Sequence, residues 1–287
     1  MNKITKVMIV SVFTNIFLAI SKILSGIIFS SASLIADGIH SFSDLTTDFF
    51  AIIGNHLSKK PADEEHPFGH GKLEYLTSLI IGFVVLFVGF GVVYQSTYSE
   101  VIIPNKFVIL VSTITIISKY YLSKFIIKKG IKYNNNILVA SGKESKADVI
   151  SSFVVLFSSI LMQFNNDIEI LKYSDIVASI IVGIFIIKTG FSIIKENVSV
   201  ILGEQEKDLE YLENIKSIIL TNDTVLEINS MIIVKYGQTR TLNLTIIMIG
   251  EISLSRAHNI VDIIEYKLKK YDKRIKHINI HMEPEKK

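Results

Sequence analysis

Six apolar segments, each about as long as a membrane-spanning helix, fill the first part of this chain and constrain its fold more than any other feature. A helix needs about 20 consecutive apolar residues to cross the hydrocarbon core of a bilayer. Residues 1–203 therefore predict a transmembrane domain of six helices. The predicted spans cover approximately residues 5–29, 33–57, 74–97, 105–127, 137–162 and 174–196.

Residues 204–287 differ in composition, because charged side chains are frequent there and apolar ones recur at helical or alternating spacing. EKDLEYLENIKSIIL and SLSRAHNIVDIIEYKLKKY have the spacing of amphipathic helices. VLEINSMIIVKY, TLNLTIIMI and RIKHINIHME are typical of strands. The order α-β-β-α-β predicts a second, water-exposed α+β domain in which helices cover one face of a sheet.

The distribution of lysine predicts the orientation in the membrane. The loops on one side of the predicted spans carry most of the lysines, whereas the opposite loops have little beyond Lys106 and Lys172. Because positive residues are retained in the cytoplasm, both termini and the C-terminal domain are expected there. The net charge of +3 and the lack of a basic patch interleaved with aromatics argue against a nucleic-acid partner. The chain has no cysteine, which excludes disulfides and thiolate metal ligands.

The second apolar segment contains four ionisable residues on one side of its predicted helix: Asp37, His40, Asp44 and Asp48. At about 100° per residue they form a narrow stripe. One charge at the centre of a bilayer costs about 2.5–3.5 kcal/mol by insertion scales, so several charges need compensating partners. The stripe favours a path for a cation or for protons through the interior of a helix bundle.

The fifth apolar segment carries a matching pair, Glu144 and Asp148, one helical turn apart. His40 and Asp44 have the same spacing. Two such pairs on neighbouring helices can supply four ligands to one tetrahedral metal ion. The alternative is a polar contact between helices, or salt bridges to the lysines of these segments: Lys22, Lys143 and Lys146.

Two further groups have ligand chemistry. In the predicted cytoplasmic loop PADEEHPFGHGKLE, Asp63, His66 and His70 have the short spacing of metal ligands, although solvated loop histidines are the alternative. In the last predicted strand, polar residues share one face: His277, Asn279, His281 and Glu283. His258, near the start of the preceding helix, can approach the end of that strand. A merely wetted strand face explains this pattern equally well.

Several of these motifs together resemble the cation diffusion facilitator family: SASLIADGIHSFSDLTTD, PADEEHPFGHGKLE, SKADVISS and AHNIVDIIE…HINIHMEP. The resemblance covers essentially the full chain, and the motifs occur in the family's order. It implies six transmembrane helices, a cytoplasmic ferredoxin-like domain and a homodimer. It also implies export of divalent metal from the cytoplasm, driven by protons that move inward.

The resemblance also implies roles for individual residues, carried over by position. The transport site would consist of His40, Asp44, Glu144 and Asp148. The loop and tail metal sites would consist of Asp63, His66 and His70, and of His258, His281 and Glu283, respectively. Lys72 corresponds to a lysine near the dimer contact in the family.

The chain departs from the family's pattern at four positions. Glu144 stands where zinc-exporting relatives usually have His or Asp. Asn229 and Thr245 take the places of tail histidines that some relatives use in a multi-metal site. Gly203 stands where some relatives have an acidic partner for the loop lysine. These departures affect which metal is bound, whether a full tail site forms and whether Lys72 has an acidic partner.

We therefore predict proton-coupled efflux of a divalent transition metal (zinc, iron, manganese or cobalt) and no enzymatic activity. The oxygen-rich ligand set favours a range that includes iron, manganese or cobalt beside zinc. The expected state is a homodimer in the lipid of a bacterial cell membrane, with divalent metal ions and protons as partners and no permanent cofactor. Two alternatives are left open: a membrane metal sensor that signals through its tail, and a membrane metal-dependent hydrolase.

Overall fold

The computed structural model describes residues 3–133, 136–164, 166, 168–237 and 239–285. Six long helices come first in the chain: α1 (Lys3–Ile28), α2 (Ala32–Ser58), α3 (Leu73–Tyr98), α4 (Phe107–Lys132), α5 (Asn136–Leu161) and α6 (Ser174–Ile201). Two short 3-10 helices lie between α5 and α6. The C-terminal elements follow in the order α7 (Leu209–Ile219), β1 (Val225–Tyr236), β2 (Thr239–Met248), α8 (Leu254–Tyr271) and β3 (Ile275–Pro284).

The six long helices match the six predicted spans in number and position. Five of them are long and apolar enough within the described residues to cross a bilayer. The remaining helix, α2, has 27 residues and is long enough to cross a bilayer, but its polar stripe lowers its mean hydropathy. The fold is a helical transmembrane domain followed by a small α+β domain, as predicted.

The chain divides into two compact units. The first, termed the membrane unit, comprises Met1–Phe50 and Ile80–Ile194. The second, termed the tail unit, comprises Ala51–Leu79 and Lys195–Lys287. The tail unit thus includes the loop between α2 and α3 in addition to the C-terminal elements. The sequence-based domain boundary between residues 203 and 204 stays a prediction.

The helices of the membrane unit approach one another closely because small residues lie at their contacts. At Gly38 on α2, a Cβ atom would lie 2.6 Å from Cγ1 and 2.9 Å from the backbone nitrogen of Ile23 on α1. Only glycine fits this contact without a shift of the helices. Large apolar side chains such as Phe13, Phe17 and Phe87 are exposed on the outer surface of the helices, which suits contact with lipid.

Asp175, in the first turn of α6, fixes the start of α2. Its buried carboxylate accepts hydrogen bonds from the Ser31 hydroxyl (2.8 Å), the Ala32 N–H (2.6 Å) and the Ser33 hydroxyl (2.5 Å). An acidic group at this position satisfies otherwise unpaired N–H groups of α2 and complements its dipole. Since α2 carries the polar stripe, this cap positions the stripe along the helix axis.

The C-terminal elements form the predicted α-β-β-α-β arrangement around one sheet. The strand order is β1-β2-β3, with β1 antiparallel and β3 parallel to the central strand β2. Apolar residues of β2 alternate as expected, and they pack with α7 and α8 into one core. Its fully buried members are Ile215, Ile219, Ile233, Leu242, Ile246 and Leu268.

A salt-bridge cluster ties three parts of the tail unit together. Arg240 on β2 donates to Glu206 (2.6 Å), which precedes α7, and to Asp272 (2.7 Å), which follows α8. The Tyr211 hydroxyl also donates to Asp272 (2.8 Å). Desolvation acts to raise the pKa of Glu206, but hydrogen bonds from Arg240 and Lys235 outweigh it and lower the pKa to about 2.

We predict that Arg240→Met destabilises the tail unit by about 3 kcal/mol at pH 7, because it removes the guanidinium that bridges two buried carboxylates, Glu206 and Asp272, and leaves them only their other partners. Hydrogen–deuterium exchange of peptides from β1 and β2 in the detergent-solubilised full chain measures this as faster exchange. The matched control is Lys235→Met, which removes the 40% exposed partner of Glu206 and is expected to cost less than about 1 kcal/mol.

The unmodified chain and Arg240→Met also test how the stability of the tail unit depends on pH. The folded-state pKa of Glu206 lies below its ordinary value of 4.5, so its stabilising contribution is complete above that value and disappears as the pH falls toward about 2. The advantage of the unmodified chain over Arg240→Met should therefore shrink across this window, after exchange rates are corrected for pH. A difference that stays constant down to pH 2 would contradict the assignment.

Candidate metal centre

Three of the predicted transport-site residues meet inside the membrane unit. One ligand atom from each of His40, Asp44 and Asp148 lies within 4.8 Å of the other two. The first two are one turn apart on α2, and the third comes from α5, so two helices supply three of the four predicted side chains. This is the separation at which one metal ion can bridge the three side chains.

Two ligand atoms of this set are buried without a hydrogen-bond partner among the described residues. They are Nδ1 of His40 and Oδ2 of Asp44. The contact between the His40 ring and the Asp44 carboxylate measures 3.8 Å, which is too long for a hydrogen bond. A buried polar atom without a partner is costly, and it is usually explained by a ligand or a functional role. The donor set therefore suits a divalent cation.

Two buried lysines lie beside the candidate ligands. Lys119 on α4 places its Nζ 2.7 Å from Oδ2 of Asp148, and Lys22 on α1 places its Nζ 2.7 Å from Oδ2 of Asp37. Ser41 Oγ accepts from both ammonium groups, at 3.3 Å and 3.2 Å. Four helices of the membrane unit thus share one polar network.

The acidic residues of this network differ in how completely their carboxylates are paired. Asp37 is fully paired, because Lys22 and the hydroxyls of Ser151 (2.8 Å) and Ser152 (2.7 Å) contact its carboxylate. For Asp37 the salt bridge to Lys22 that was left open as an alternative is observed. Its predicted place along a cation or proton path stays a prediction. Asp44, by contrast, keeps one buried oxygen without a hydrogen-bond partner among the described residues.

Glu144 lies outside the group of three ligands. Its side chain is exposed on α5, one turn before Asp148, and it is within Coulomb range of Asp44 and Asp48. Asp48 is also exposed, one turn after Asp44 on α2. Both carboxylates therefore extend the acidic surface from the three ligands along the same two helices. The membership of Glu144 in the transport site stays a prediction.

Lys119 is a residue of this centre to which none of the sequence motifs points. The signal was present, since Lys119 is a lysine within the apolar run TITIISKYYL of the fourth span. A lysine at that depth needs an acidic partner or a water-filled cavity. Which acidic residue it meets depends on how α4 packs against α5, and sequence spacing does not contain that information.

The loop between α2 and α3 brings together Asp63, His66 and His70, with ligand atoms within 4.8 Å of one another. The Asp63 carboxylate lies 3.1 Å from Nδ1 of His66 and 3.5 Å from Nε2 of His70. Gly69 has a φ of +82°, a conformation that favours glycine and turns the loop back between the two histidines. The predicted loop residues thus form a compact group.

Two details of this loop suit a cation. Nδ1 of His70 lies 3.1 Å from the Pro61 carbonyl, so a proton on Nδ1 leaves Nε2 as the ligand atom that faces Asp63. Desolvation acts to raise the pKa of Asp63, but hydrogen bonds from the His66 N–H and from Lys60 outweigh it and lower the pKa to about 2. Asp63 is therefore ionised at every physiological pH.

Lys72, at the end of the same loop, contacts two C-terminal segments of the tail unit. Its Nζ donates to the carbonyl of Ile201 (3.2 Å) and lies 5.1 Å from the centroid of the Tyr236 ring. Gly203, with a φ of +94°, offers no acidic partner. Lys72 thus uses a backbone carbonyl and an aromatic ring within its own chain.

The three predicted tail ligands do not meet within the part of the chain that the structure describes. His258 faces Asp262 on its own helix (3.7 Å), whereas His281 lies 3.8 Å from Glu283 on β3. Asn229 donates to Glu283 at 3.3 Å. All of these side chains are at the surface, and the tail site stays a prediction.

Comparisons with known proteins agree with this architecture along the whole chain. The family model described as "Cation efflux transmembrane domain" matches residues 8–202. The one described as "Cation efflux protein, cytoplasmic domain" matches residues 208–285. Together they assign the six long helices and the C-terminal α+β domain to cation efflux proteins.

Three curated relatives match over nearly their full length. The "Uncharacterized transporter MJ0449" of Methanocaldococcus jannaschii is 32% identical over 264 residues, which cover 91% of each chain. The "Manganese efflux system protein MneP" of Bacillus subtilis is 28% identical over 286 residues, with 97% and 95% coverage. The "Manganese efflux system protein MneS" of the same organism is 26% identical over 285 residues, with 96% and 94% coverage.

Both family models, the matching relatives and the helical transmembrane fold lead to one assignment. The chain belongs to the cation diffusion facilitator family, whose members are integral membrane transporters that export metal cations.

Proposed function

We propose that this protein exports divalent transition-metal ions from the cytoplasm in exchange for protons, and that His40, Asp44 and Asp148 bind the ion during transport. One observation carries the proposal. Three ligand atoms from two helices lie within 4.8 Å of one another, and two of the polar atoms of this set are buried without a partner in the described chain. A divalent cation supplies the missing interaction.

Proton coupling follows from the chemistry of the ligands. A metal ion binds carboxylates and imidazole only in their deprotonated forms, so loading releases protons and protonation releases the ion. A site that faces the cytoplasm and the outside in turn can therefore exchange one ion for protons. The close helix contacts of the membrane unit, such as Gly38 against Ile23, provide the packed surfaces on which such a movement takes place.

Manganese is the substrate that the comparisons favour, since two of the relatives are named as manganese efflux proteins. The ligand chemistry supports a range that includes manganese, because a site with one imidazole and two or three carboxylates is rich in oxygen. Zinc still has the higher intrinsic affinity at almost any such site. We therefore propose a broad range that includes manganese, iron or cobalt beside zinc.

The orientation and assembly belong to the same proposal. The distribution of lysine supports cytoplasmic termini, with the loop group of Asp63 on the cytoplasmic side. A bacterial plasma membrane is the proposed location. The match of residues 208–285 to the cytoplasmic domain of cation efflux proteins supports a homodimer. The group formed by Asp63, His66 and His70 is proposed to hold a metal ion that orders the loop.

We predict that Asp148→Asn and Asp44→Asn each reduce manganese flux to the level of empty liposomes, because each removes an anionic ligand at nearly constant volume. Uptake into proteoliposomes under an imposed pH gradient measures the flux. The matched control is Glu169→Gln, which changes an 85% exposed side chain outside the site and should leave flux unchanged.

The same assay separates the alternatives. Flux from the purified protein alone excludes a pure metal sensor, whereas a steady hydrolysis rate without any metal gradient would favour a hydrolase. Normal flux in both Asp→Asn variants, with the protein folded and dimeric, would show that the transport site lies elsewhere.

We predict that Glu144→His narrows the metal range toward zinc, because an added imidazole favours zinc over manganese and iron. Competition between zinc and manganese for uptake measures the ranking at matched expression. Lys143→His, at the neighbouring exposed position, controls for the mere presence of a histidine on α5. An unchanged ranking in Glu144→His would remove Glu144 from the determinants of selectivity.

We predict that Asp63→Ala lowers metal affinity at the loop group by at least about tenfold, because Asp63 contacts both histidines and ligand losses have effects of that size. Counting bound manganese per chain by equilibrium dialysis should give one ion fewer at low metal concentration. Glu64→Ala, an exposed neighbour that makes none of these contacts, is the control. Equal counts in both variants would argue against a loop metal site.

A further inference from the structure

Lys119 places its ammonium group beside the candidate metal centre. Its side chain is 4% exposed, and its Nζ lies 2.7 Å from Oδ2 of Asp148. The same carboxylate belongs to the group that brings its ligand atoms to within 4.8 Å of His40 and Asp44. The ammonium of Lys119 lies at hydrogen-bond distance from this carboxylate. A metal ion bound to the same carboxylate would lie a few ångströms from the ammonium, and like charges at that distance repel strongly where little water screens them.

We propose that Lys119 is a tethered competitor for the transported ion: it neutralises Asp148 while the site is empty, and metal loading displaces it. The inference rests on the proposed function, since it takes the His40, Asp44 and Asp148 group as the transport site. It adds a residue on α4 that sets the affinity of a site built on α2 and α5.

The polar network around Lys119 offers its ammonium other contacts when it leaves Asp148. Ser41 Oγ already accepts from Lys119 at 3.3 Å, and the Asp37 carboxylate attracts the same ammonium. Lys22 donates to Ser41 Oγ at 3.2 Å and repels Lys119, which limits how far the ammonium moves. Asp37 is held in place by Lys22 and by two serine hydroxyls. The lysine side chain has a flexible four-carbon stem, so its ammonium can change position by bond rotation. A rotation that keeps the Ser41 contact and gives up the Asp148 contact therefore frees the Asp148 carboxylate for a metal ion.

This exchange has two physical consequences. First, a buried carboxylate without a counter-charge is strongly destabilising, so Lys119 stabilises the empty transporter between transport cycles. Second, the energy needed to displace the ammonium is subtracted from the binding energy of every incoming ion. Affinity is thereby lowered, and release on the far side is promoted by the return of Lys119 to Asp148.

A purely structural role for the pair, as a clamp between α4 and α5, leads to a different expectation. Loss of a clamp weakens the fold and disorders the ligands, so metal binding becomes weaker. Loss of a competitor leaves Asp148 without a partner in the empty state, so metal binding becomes tighter. The sign of the change in affinity therefore separates the two roles.

The experiment measures manganese binding to the purified, detergent-solubilised full chain by the electron paramagnetic resonance signal of free Mn²⁺. Both parent and variants carry Asp63→Ala and His281→Ala, so that the loop and tail groups do not contribute. The variants are Lys119→Met, which removes the charge at similar length, and Lys119→Arg, which keeps it. Lys128→Met, an exposed position later in α4, is the matched control.

Lys119→Met is expected to bind Mn²⁺ at least about tenfold more tightly than the parent, as the loss of one nearby positive charge implies. The rise in melting temperature caused by Mn²⁺ should also be larger in Lys119→Met, because the metal then neutralises Asp148 in place of the lost ammonium. Lys119→Arg and Lys128→Met should stay within about threefold of the parent. Unchanged or weaker binding in a folded Lys119→Met protein would overturn the inference.

Asp148→Asn in the same background keeps this outcome distinct from a failure of the proposed function. If the site is correctly placed, Asp148→Asn loses Mn²⁺ binding whatever Lys119→Met does. If Asp148→Asn binds as the parent does, the transport site itself is wrong, and the competitor role of Lys119 is overturned with it.

Discussion

The cost of holding charge inside a membrane governs the arrangement of this protein's interior. Lys22 and Asp37 neutralise each other at 2.7 Å with both side chains 1% exposed, and Lys119 neutralises Asp148 in the same way. Such pairs contribute little net stability, but either member alone would be strongly destabilising. The helices α1, α2, α4 and α5 must therefore pack so that these four groups meet, and the ligand geometry follows from that packing.

The two ion pairs differ in what surrounds them, and that difference separates structure from function. Asp37 has its lysine and two serine hydroxyls, so both oxygens of its carboxylate are hydrogen-bonded. Asp148 has one lysine and lies beside His40 and Asp44, two residues with unpartnered buried atoms. A fully satisfied pair fixes helices in place, whereas a pair beside unsatisfied ligands can exchange one cation for another. The proposed transport site needs the second kind of pair, and the first kind holds the surrounding helices in place.

Much of this architecture follows from local sequence pattern. The lengths of the six apolar runs define α1 to α6, and alternation and helical spacing define the order of the C-terminal elements. The polar stripe on α2 and the pair on α5 predicted interior side chains, and Asp37 and His40 are buried, whereas Asp48 and Glu144 are exposed. Spacing could not tell that Glu144 lies outside the closest ligand group, since the positions of an i, i+4 pair relative to another helix depend on rotation and depth.

The sequence by itself determined the membrane class, the two-part organisation and the candidate ligands, because these depend on hydrophobic length and on periodicity along one element. Only the tertiary structure decided which charges meet. Lys119 and Asp148 lie in different helices, so the number of residues between them does not predict that their side chains meet. Their contact exists because α4 and α5 pack closely at Gly130 and Gly142, where a Cβ would lie within 3.0 Å of the other helix's backbone. Pairing across helices is a property of packing, and packing is settled by the whole chain at once.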